Sequence, residues 1–201
     1  MISESVKAEI DKLIKEIWMN DICEDYRRGN LIKEASLQTS LYHHIRTRFG
    51  AHLEENNLYL YPEFYFKGLK FRADLAIVEM DMNKETQRLS DRVTDIAAVI
   101  ELKYDGGYAK TTEDWIKSDG EKLKAYARGL NYNCQYYWGV VYETECIWLH
   151  WLDKRSTNTW GKGRLTELNA GLLDGQMIFE INSYNNMNVS HAKKGCTPSW
   201  W

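Results

Sequence analysis

The sequence predicts an α/β protein with a central mixed sheet of about five strands flanked by helices. Three observations support this prediction. Two segments near the N-terminus repeat apolar residues at helical spacing, and three later segments have the composition of strands. A further helical segment then separates the third strand from two more. This order of elements is typical of a mixed sheet flanked by helices.

The N-terminal quarter of the chain predicts two helices. Residues 3–19 place apolar side chains at helical spacing, and Ser3 or Ser5 is available as an N-cap. The cluster 27–30, Arg-Arg-Gly-Asn, interrupts this pattern. A second helix is predicted over about 31–49, ending before a glycine.

Two polar residues of the second helix lie close to its apolar stripe. The apolar positions Leu37, Leu41 and Ile45 are spaced by four residues, and Glu34 and Gln38 fall beside them. Both polar side chains are therefore expected to face inward with the core.

Three strands are predicted in the middle of the chain. Residues 57–66 are rich in aromatic side chains, and residues 69–79 follow after a Lys-Gly turn, which predicts a hairpin. The polar segment 80–95 has no clean period and is expected to be a long surface connection. Residues 96–104 form the third predicted strand, which ends at Asp105-Gly106-Gly107.

The second half of the chain predicts a helix and two more strands, followed by weaker signals. The helix covers about 111–130 with a bend near Gly120, and the strands cover 135–142 and 145–152. Beyond them, residues 166–173 suggest a short helix and residues 176–181 a short strand. The remainder is expected to be a tail.

Length and composition limit the class of protein. The chain has 201 residues, 44% of them hydrophobic and 27% charged, which is typical of one soluble globular domain. The N-terminus lacks the apolar segment of a signal peptide, and no run reaches the ~18 apolar residues of a membrane span. The four cysteines show no metal-ligand spacing, as is typical of reduced thiols. We therefore expect a cytoplasmic protein with no membrane partner.

Charged residues interrupt two strands that are otherwise apolar. Side chains alternate along a strand, so Glu101 and Lys103 point to the same face, roughly 7 Å apart. Asp74 is likewise an isolated acid in the apolar strand 69–79. An unpaired buried charge is costly, so each must be compensated by an ion pair, a metal ion or access to water.

Two interpretations of these residues remain open at this point. In the first, Lys103 forms a structural ion pair with Glu101 or Asp74 at the end of the sheet. In the second, the two carboxylates converge on Mg²⁺, which takes one or two protein carboxylates and completes its shell with water and phosphate. A lysine beside such an ion can orient or deprotonate a water molecule.

The arrangement of Asp74 followed by Glu101-Leu102-Lys103 resembles the PD-(D/E)xK nuclease superfamily, which includes type II restriction enzymes. The order of helix, hairpin with Asp, ExK strand, helix and further strand matches the superfamily core from about residue 31 to 152. The resemblance implies one restriction-endonuclease-like domain over residues 1–201. The N-terminal helix and a C-terminal extension, 153–201, would pack on its core.

The resemblance also implies an active site. In that family the Asp and the Glu of the ExK motif hold the metal ion and the Lys assists the attacking water, roles that carry over to Asp74, Glu101 and Lys103. A glutamate on the preceding helix often completes the metal site, and Glu34 matches it. The literal Pro-Asp of the family is absent, since Ala73 precedes Asp74.

Further residues are candidates for binding the substrate. Exonuclease-like members carry a QxxxY pattern on the helix after the ExK strand, where this chain has Lys122 and Tyr126. The two lie on one helical face, which favours a position for Lys122 near the phosphate. The lysine in place of glutamine departs from the exonuclease pattern. Gln38 and Arg72 complete the substrate-binding candidates.

Residues outside the motif are weaker candidates. Glu63 alternates with Tyr61 and Tyr65, so it either lines the cleft or faces the surface. Basic residues flank the site in sequence and are candidates for phosphate contacts, among them Lys67 and Lys70. The net charge of −3 gives no basic signal overall, so a polyanion partner would have to meet a local patch.

The function predicted from the resemblance is a metal-dependent nuclease. It would hydrolyse phosphodiester bonds of nucleic acid, DNA being favoured over RNA, by a metal-activated water, with Mg²⁺ as cofactor and Mn²⁺ able to substitute. Two alternatives are a catalytically inactive nucleic-acid-binding module and a protein-interaction scaffold. A third is that the carboxylates form a structural ion-pair network. The sequence leaves the mode of cleavage and a homodimer open.

Overall fold

The computed structural model describes one seven-stranded mixed sheet with helices packed on both faces. It describes residues 1–106, 112–130, 133–146, 149–152, 154–185, 187–189 and 191–199, leaving out the side chains of 112–117 and 154–156. The helices are α1 (Glu4–Ile17), α2 (Cys23–Arg27), α3 (Glu34–Glu55), α4 (Thr112–Gly129) and α5 (Lys154–Trp160). The strands are β1 (Leu58–Tyr65), β2 (Arg72–Met80), β3 (Val93–Asp105), β4 (Gln135–Glu145), β5 (Leu165–Leu173), β6 (Gln176–Ser183) and β7 (His191–Cys196).

The strands lie in the sheet in chain order, from β1 at one edge to β7 at the other. The pairs β1–β2 and β2–β3 are antiparallel, β3–β4 and β4–β5 are parallel, and β5–β6 and β6–β7 are antiparallel. The parallel centre follows from the connections, because parallel neighbours need a crossover and α4 and α5 provide the two crossovers. The predicted mixed sheet flanked by helices is confirmed.

The sheet divides the interior into two apolar cores. Ile100 and Leu102 of β3 belong to the core that also includes residues of α1, α2 and α3. Val99 belongs to the second core, which contains residues of α4 and α5. Because side chains alternate along β3, Glu101 and Lys103 share the face of Val99 and point toward the α4 side.

The two N-terminal helices form where their periodicity predicted them. Ser3 caps α1, and its hydroxyl accepts a hydrogen bond of 3.3 Å from the amide of Val6. A π-helical turn, Trp18–Ile22, joins α1 directly to α2. Helix α3 continues past the predicted stop at Gly50 to Glu55, because a glycine inside a helix is unfavourable by only about 1 kcal/mol and Leu53 of the last turn is buried in the core.

The C-terminal third differs most from the prediction. Residues 166–173, predicted as a short helix, lie in strand β5, and β7 falls within the predicted tail. The prediction failed because β5 is paired on both sides and nearly all its residues are buried, so its apolar residues do not alternate with exposed polar ones. Tertiary pairing overrides the helix propensity of its Leu and Ala residues.

The sheet therefore has seven strands instead of about five. The predicted strand 145–152 is wrong: Glu145 is the last residue of β4, and residues 146 and 149–152 are not in a strand, while 147–148 lie outside the described residues. Nowhere in the described part of the chain does a helix combine the length and apolar character needed to cross a membrane.

Candidate active site

The candidate site lies where the pairing of β2 with β3 ends. The last paired residues are Leu75 and Ile100, so Asp74 and Glu101 are the next residues on their strands. Residues opposite each other in an antiparallel pair place their side chains on the same face. The Asp74 Oδ2 atom accepts a hydrogen bond of 2.6 Å from the backbone amide of Leu102. The strand ends thus bring the two carboxylates together.

Glu101 is a buried carboxylate that makes no hydrogen bond to the part of the chain that the structure describes. Its residue is 1% exposed, and within the described structure neither carboxylate oxygen has a hydrogen bond of good geometry. Burial, the largest cause, and the nearby charge of Asp74 together raise the pKa of Glu101 to about 9. The hydroxyl of Tyr126 is close enough to stabilise the charged form, but it falls short of a formed hydrogen bond. Glu101 is therefore protonated at neutral pH unless a cation stabilises its charge.

Asp74 is also perturbed by its surroundings. Burial, the largest cause, and the charges of Glu34 and Glu63 together raise the pKa of Asp74 to about 7. The hydrogen bond from the Leu102 amide opposes the shift. Two neighbouring carboxylates with raised pKa values indicate a place where negative charge is present without enough compensation.

Two lysines border the carboxylates and are held by acidic side chains. The Lys103 Nζ atom lies 2.8 Å from Oε2 of Glu34 and 3.5 Å from Oδ2 of Asp119. The Lys122 Nζ atom lies 2.6 Å from Oδ1 of Asp119 and 3.7 Å from Oε2 of Glu101. Burial lowers the pKa of each lysine, but the acidic partners outweigh it and leave both pKa values raised. Both lysines are therefore charged.

The first interpretation of the sequence, an ion pair of Lys103 with Glu101 or Asp74, is not the arrangement found. Lys103 pairs with Glu34, which begins α3 and whose side chain is 42% exposed. Glu34 is thus close to Asp74 and Glu101, and its contact with the site is the ion pair with Lys103.

Gln38, one turn after Glu34 on α3, connects this helix to the two strands. Its Nε2 atom donates to the backbone carbonyl of Asp74 at 2.7 Å and to Oε1 of Glu63 at 3.0 Å. The first bond holds the strand segment that carries Asp74. In the structure Gln38 therefore fixes the position of the Asp74 backbone from the α3 side of the sheet, as a positioning residue.

Glu63 has a backbone conformation that residues other than glycine rarely adopt. Its φ angle is +50°, in the left-handed region, and it lies between the paired residues Pro62 and Phe64 of β1. The flanking pairs place it opposite Asp74. Such a conformation is unfavourable for a residue other than glycine, and strained residues of this kind cluster at functional sites. This local break in the strand invalidates simple alternation as a guide to where Glu63 points.

The two remaining substrate-binding candidates differ in placement. Tyr126 of α4 is fully buried with its hydroxyl close to Glu101, and burial raises the pKa of that hydroxyl. Arg72 is exposed at the first position of β2, two residues before Asp74. No ion pair of Arg72 is present among the residues that the structure describes.

Asp119 belongs to the site but was not identified from the sequence. Its side chain is 8% exposed and bridges Lys103 to Lys122. The sequence predicted a bend near the following Gly120. Instead α4 is continuous, and a Cβ built at Gly120 would lie 3.0 Å from the ring of Trp138. The spacing of three residues between Asp119 and Lys122 was a usable signal, because it places both on one helical face.

The donor set fits one divalent cation held by two carboxylates. Five carboxylates, belonging to Glu34, Glu63, Asp74, Glu101 and Asp119, surround or border the site. Within the described part of the chain no three His, Cys, Asp or Glu side chains are arranged as a ready metal-binding group. Asp74 and Glu101 alone are sufficient for Mg²⁺, and the buried oxygens of Glu101 have no hydrogen bond to any residue that the structure describes. Glu34 would join them only by releasing Lys103.

Comparisons of the chain with protein-family models, with curated proteins and with solved structures gave no match.

Proposed function

We propose that the protein is a divalent-metal-dependent nuclease of the PD-(D/E)xK type with a restriction-endonuclease-like core. Its substrate would be nucleic acid, with DNA favoured. One observation carries the proposal: Asp74 and Glu101 are neighbours where the pairing of their strands ends, and the buried oxygens of Glu101 have no hydrogen-bond partner among the described residues. Lys103 follows on the same strand face as Glu101.

Asp74 and Glu101 would hold the cation, Mg²⁺ or Mn²⁺. Bound there, it would lower the pKa of a water molecule and offset the charge of a phosphate. Lys103 carries a charge and is held at the border of the site by Glu34 and Asp119. In this state it can donate a hydrogen bond to a nucleophilic water or a phosphate oxygen, and it cannot accept a proton.

Lys122 would act on the phosphate and not on the nucleophile. Its ammonium lies 3.7 Å from Oε2 of Glu101, beside the carboxylate pair. Asp119 holds it at 2.6 Å, and this contact restricts the flexible side chain. A restrained, charged lysine next to the carboxylates is suited to contact a phosphate oxygen.

A structural ion-pair network is the second candidate, and one observation favours it. The contacts join Glu34, Lys103, Asp119, Lys122 and Glu101 into one chain of charges. That chain leaves both Glu101 oxygens without hydrogen bonds and includes no ion pair to Asp74 among the described residues. A network serving stability alone is expected to satisfy its buried members, because an unpaired buried charge is costly.

The proposal is tested by titrating Mg²⁺ and Mn²⁺ against supercoiled, linear and single-stranded DNA and against RNA. The expected result is cleavage that requires the cation, stops with EDTA and is lost in Glu101→Gln. A binding module would shift the mobility of a nucleic acid without producing fragments. A protein-interaction scaffold would do neither, and either outcome would overturn the proposed activity.

We expect Glu34→Gln to weaken the response to metal. The substitution removes the charge that holds Lys103 and that acts on Asp74. Residues that orient the groups of a metal site typically change affinity or activity by about 10-fold or more. The measurement is the Mn²⁺ concentration that gives half-maximal cleavage.

The matched control for this substitution is Glu54→Gln at the other end of α3. Glu54 is exposed and its only ion pair in the described structure is a distant one, 3.7 Å from Arg46. It should leave the metal response unchanged. Equal, negligible effects of the two substitutions would remove Glu34 from the site.

A further inference from the structure

The loop that joins β1 to β2 carries aromatic and basic side chains into solvent beside the candidate site. We define the hairpin tip as residues 64–72, Phe-Tyr-Phe-Lys-Gly-Leu-Lys-Phe-Arg, a segment with three basic residues and no acidic one. Tyr65 is 57% exposed and Phe71 39% exposed. The basic residues Lys67, Lys70 and Arg72 are exposed as well.

Packing between aromatic rings connects the hairpin tip to the site. The buried Phe66 contacts Tyr126 edge-on, with ring centroids 5.3 Å apart. Phe71 contacts the same ring at 6.4 Å, with an interplanar angle of 89°. Tyr126 in turn lies next to Glu101. The exposed ring of Phe71 is therefore one residue away from the carboxylate pair.

The hairpin tip is held in place by its own turn and by α4. Gly68 has a φ angle of +91°, and the amide of Leu69 donates to the carbonyl of Phe66 at 3.0 Å, which closes the turn. Leu69 packs against the C-terminal end of α4, where a Cβ built at Gly129 would lie 2.7 Å from its Cδ2 atom. The exposed rings are thus presented on an anchored loop.

This composition favours a nucleic acid over a protein as the partner. Exposed aromatic rings interleaved with lysine and arginine are the pattern used to bind single strands, in which bases stack on the rings and cations follow the backbone. Lysine is depleted in protein–protein interfaces, so two exposed lysines in nine residues argue against one. A duplex hides the faces of its bases, and only an unpaired base can stack on Phe71 or Tyr65.

We propose that the hairpin tip binds unpaired nucleotides, stacking bases on Phe71 and Tyr65 while Lys67, Lys70 and Arg72 contact phosphates. Arg72 precedes Asp74 by two residues on β2, which is roughly 7 Å along the strand. A nucleic-acid strand held by Arg72 would therefore lie close to the carboxylates. The inference deepens the proposed nuclease function by assigning it a substrate class: single strands, or ends and loops whose bases are unpaired.

The test measures binding in EDTA, where cleavage does not occur. Fluorescence anisotropy would compare the affinities for three labelled ligands: a single-stranded DNA, an RNA of the same sequence, and the blunt DNA duplex. Each ligand would be about 12 nucleotides long, which is about one turn of a duplex. The parent is expected to bind the single strands more tightly than the duplex. The ratio between the DNA and RNA affinities identifies which of the two the hairpin tip prefers.

Variants separate stacking from charge. Tyr65→Ala and Phe71→Ala should each weaken single-strand binding by about 5- to 150-fold, the range measured for a lost base–aromatic stack. Phe71→Trp, which keeps an aromatic ring at this position, should bind single strands as the parent does. Lys67→Ala and Lys70→Ala should weaken binding to all three ligands and each reduce the salt dependence by about one phosphate contact.

The controls share the exposure of these residues but lie elsewhere. Leu89 is 54% exposed in the connection between β2 and β3, and Lys12 on α1 has an exposed side chain. Leu89→Ala and Lys12→Ala should bind as the parent does. Melting temperatures of Tyr65→Ala and Phe71→Ala close to that of the parent would show that both fold.

Each outcome bears on a different claim. Equal binding of single strands and duplex, parental affinity in Tyr65→Ala and Phe71→Ala, or no binding to any ligand would overturn the role of the hairpin tip. Single-strand binding through the hairpin tip without any Mn²⁺-dependent cleavage would keep the binding surface and reject the nuclease. Mn²⁺-dependent cleavage that is unchanged in Tyr65→Ala and Phe71→Ala would keep the nuclease and reject the binding surface.

Discussion

Replacing Lys103 with alanine is expected to reduce metal-dependent cleavage by about 10²- to 10⁴-fold, the usual contribution of a group that handles a proton or positions a nucleophile. Lys103 is the residue of the ExK strand that borders the carboxylate pair and carries a charge there. The protein should remain folded, because Glu34 is 42% exposed and Asp119 keeps its contact of 2.6 Å with Lys122.

The measurement is the rate of DNA cleavage at saturating Mn²⁺, together with a thermal melt to confirm folding. Lys12→Ala is the matched control, since Lys12 is an exposed lysine with a weak contact of 3.9 Å to Glu16. Asp74→Ala should cause a loss of comparable size by removing one of the two carboxylates. A folded Lys103→Ala protein that cleaves DNA at the parental rate would refute the role assigned to this lysine.

The second large effect concerns stability, where the metal site and the structural network predict opposite signs. In EDTA at pH 8, Asp74→Asn is expected to leave the melting temperature unchanged or to raise it. Burial is the largest cause of the raised pKa of both carboxyls, the charges of Glu34 and Glu63 add to the shift of Asp74, and the charge of Asp74 adds to the shift of Glu101. Neutralising Asp74 therefore removes a buried charge and its repulsion by neighbouring acids. Asparagine still offers a side-chain oxygen to the Leu102 amide. A gain on the order of 1 kcal/mol corresponds to roughly 2–4 °C in a protein of this size.

Addition of Mn²⁺ should then separate parent and variant. The folded parent presents both carboxylates, and a cation at a hundredfold excess over its Kd would stabilise it by about 2.7 kcal/mol. Asp74→Asn should gain much less. Glu121→Gln is a surface control, because Glu121 is 70% exposed and pairs with Lys124 on the outside of α4.

A marked loss of stability of Asp74→Asn in EDTA, with no shift of the parent by Mn²⁺, would identify Asp74 as a member of a structural ion-pair network. In that case the substitution would leave a buried cation without its counter-charge. The metal site and the nuclease proposal would both be rejected by this result.

The same carboxylates predict an unusual dependence of stability on pH. The folded-state pKa values of Asp74 and Glu101, about 7 and about 9, lie above the ordinary values of 3.8 and 4.5. Between those limits the folded protein binds more protons than the unfolded chain, so the free energy of unfolding falls as pH rises from about 4 to about 9. Melts without metal at a series of pH values would measure this slope.

Metal should reverse this trend, since a cation binds only the ionised carboxylates and its stabilising effect grows as pH rises. Glu101→Gln should flatten both curves. A metal-free stability that rises through the same pH window in the parent, with Glu101→Gln behaving identically, would show that Glu101 is not held in a protonated state.

Local patterns in the sequence determined the strands that carry the central residues. The alternation of side chains along β3 was enough to place Glu101 and Lys103 on one face, and the isolated acid in β2 marked Asp74. The spacing of apolar residues likewise determined α1 and the start of α3, with Glu34 and Gln38 beside the apolar stripe. These features depend on the period of a strand or a helix, which is a property of neighbouring residues.

The tertiary structure alone decided which charges meet. Lys103 pairs with Glu34 and Asp119, residues 69 and 16 positions away in the chain, and no local pattern distinguishes these partners from Asp74. The pKa of Glu101 depends on burial beneath α4, and the left-handed backbone of Glu63 interrupts the pairing of β1 with β2 between Pro62 and Phe64. Strand β5 formed where a helix was expected because pairing on both sides stabilises the extended chain more than its local propensity favours a helix. Contacts between distant segments set each of these outcomes, and a single sequence does not specify them residue by residue.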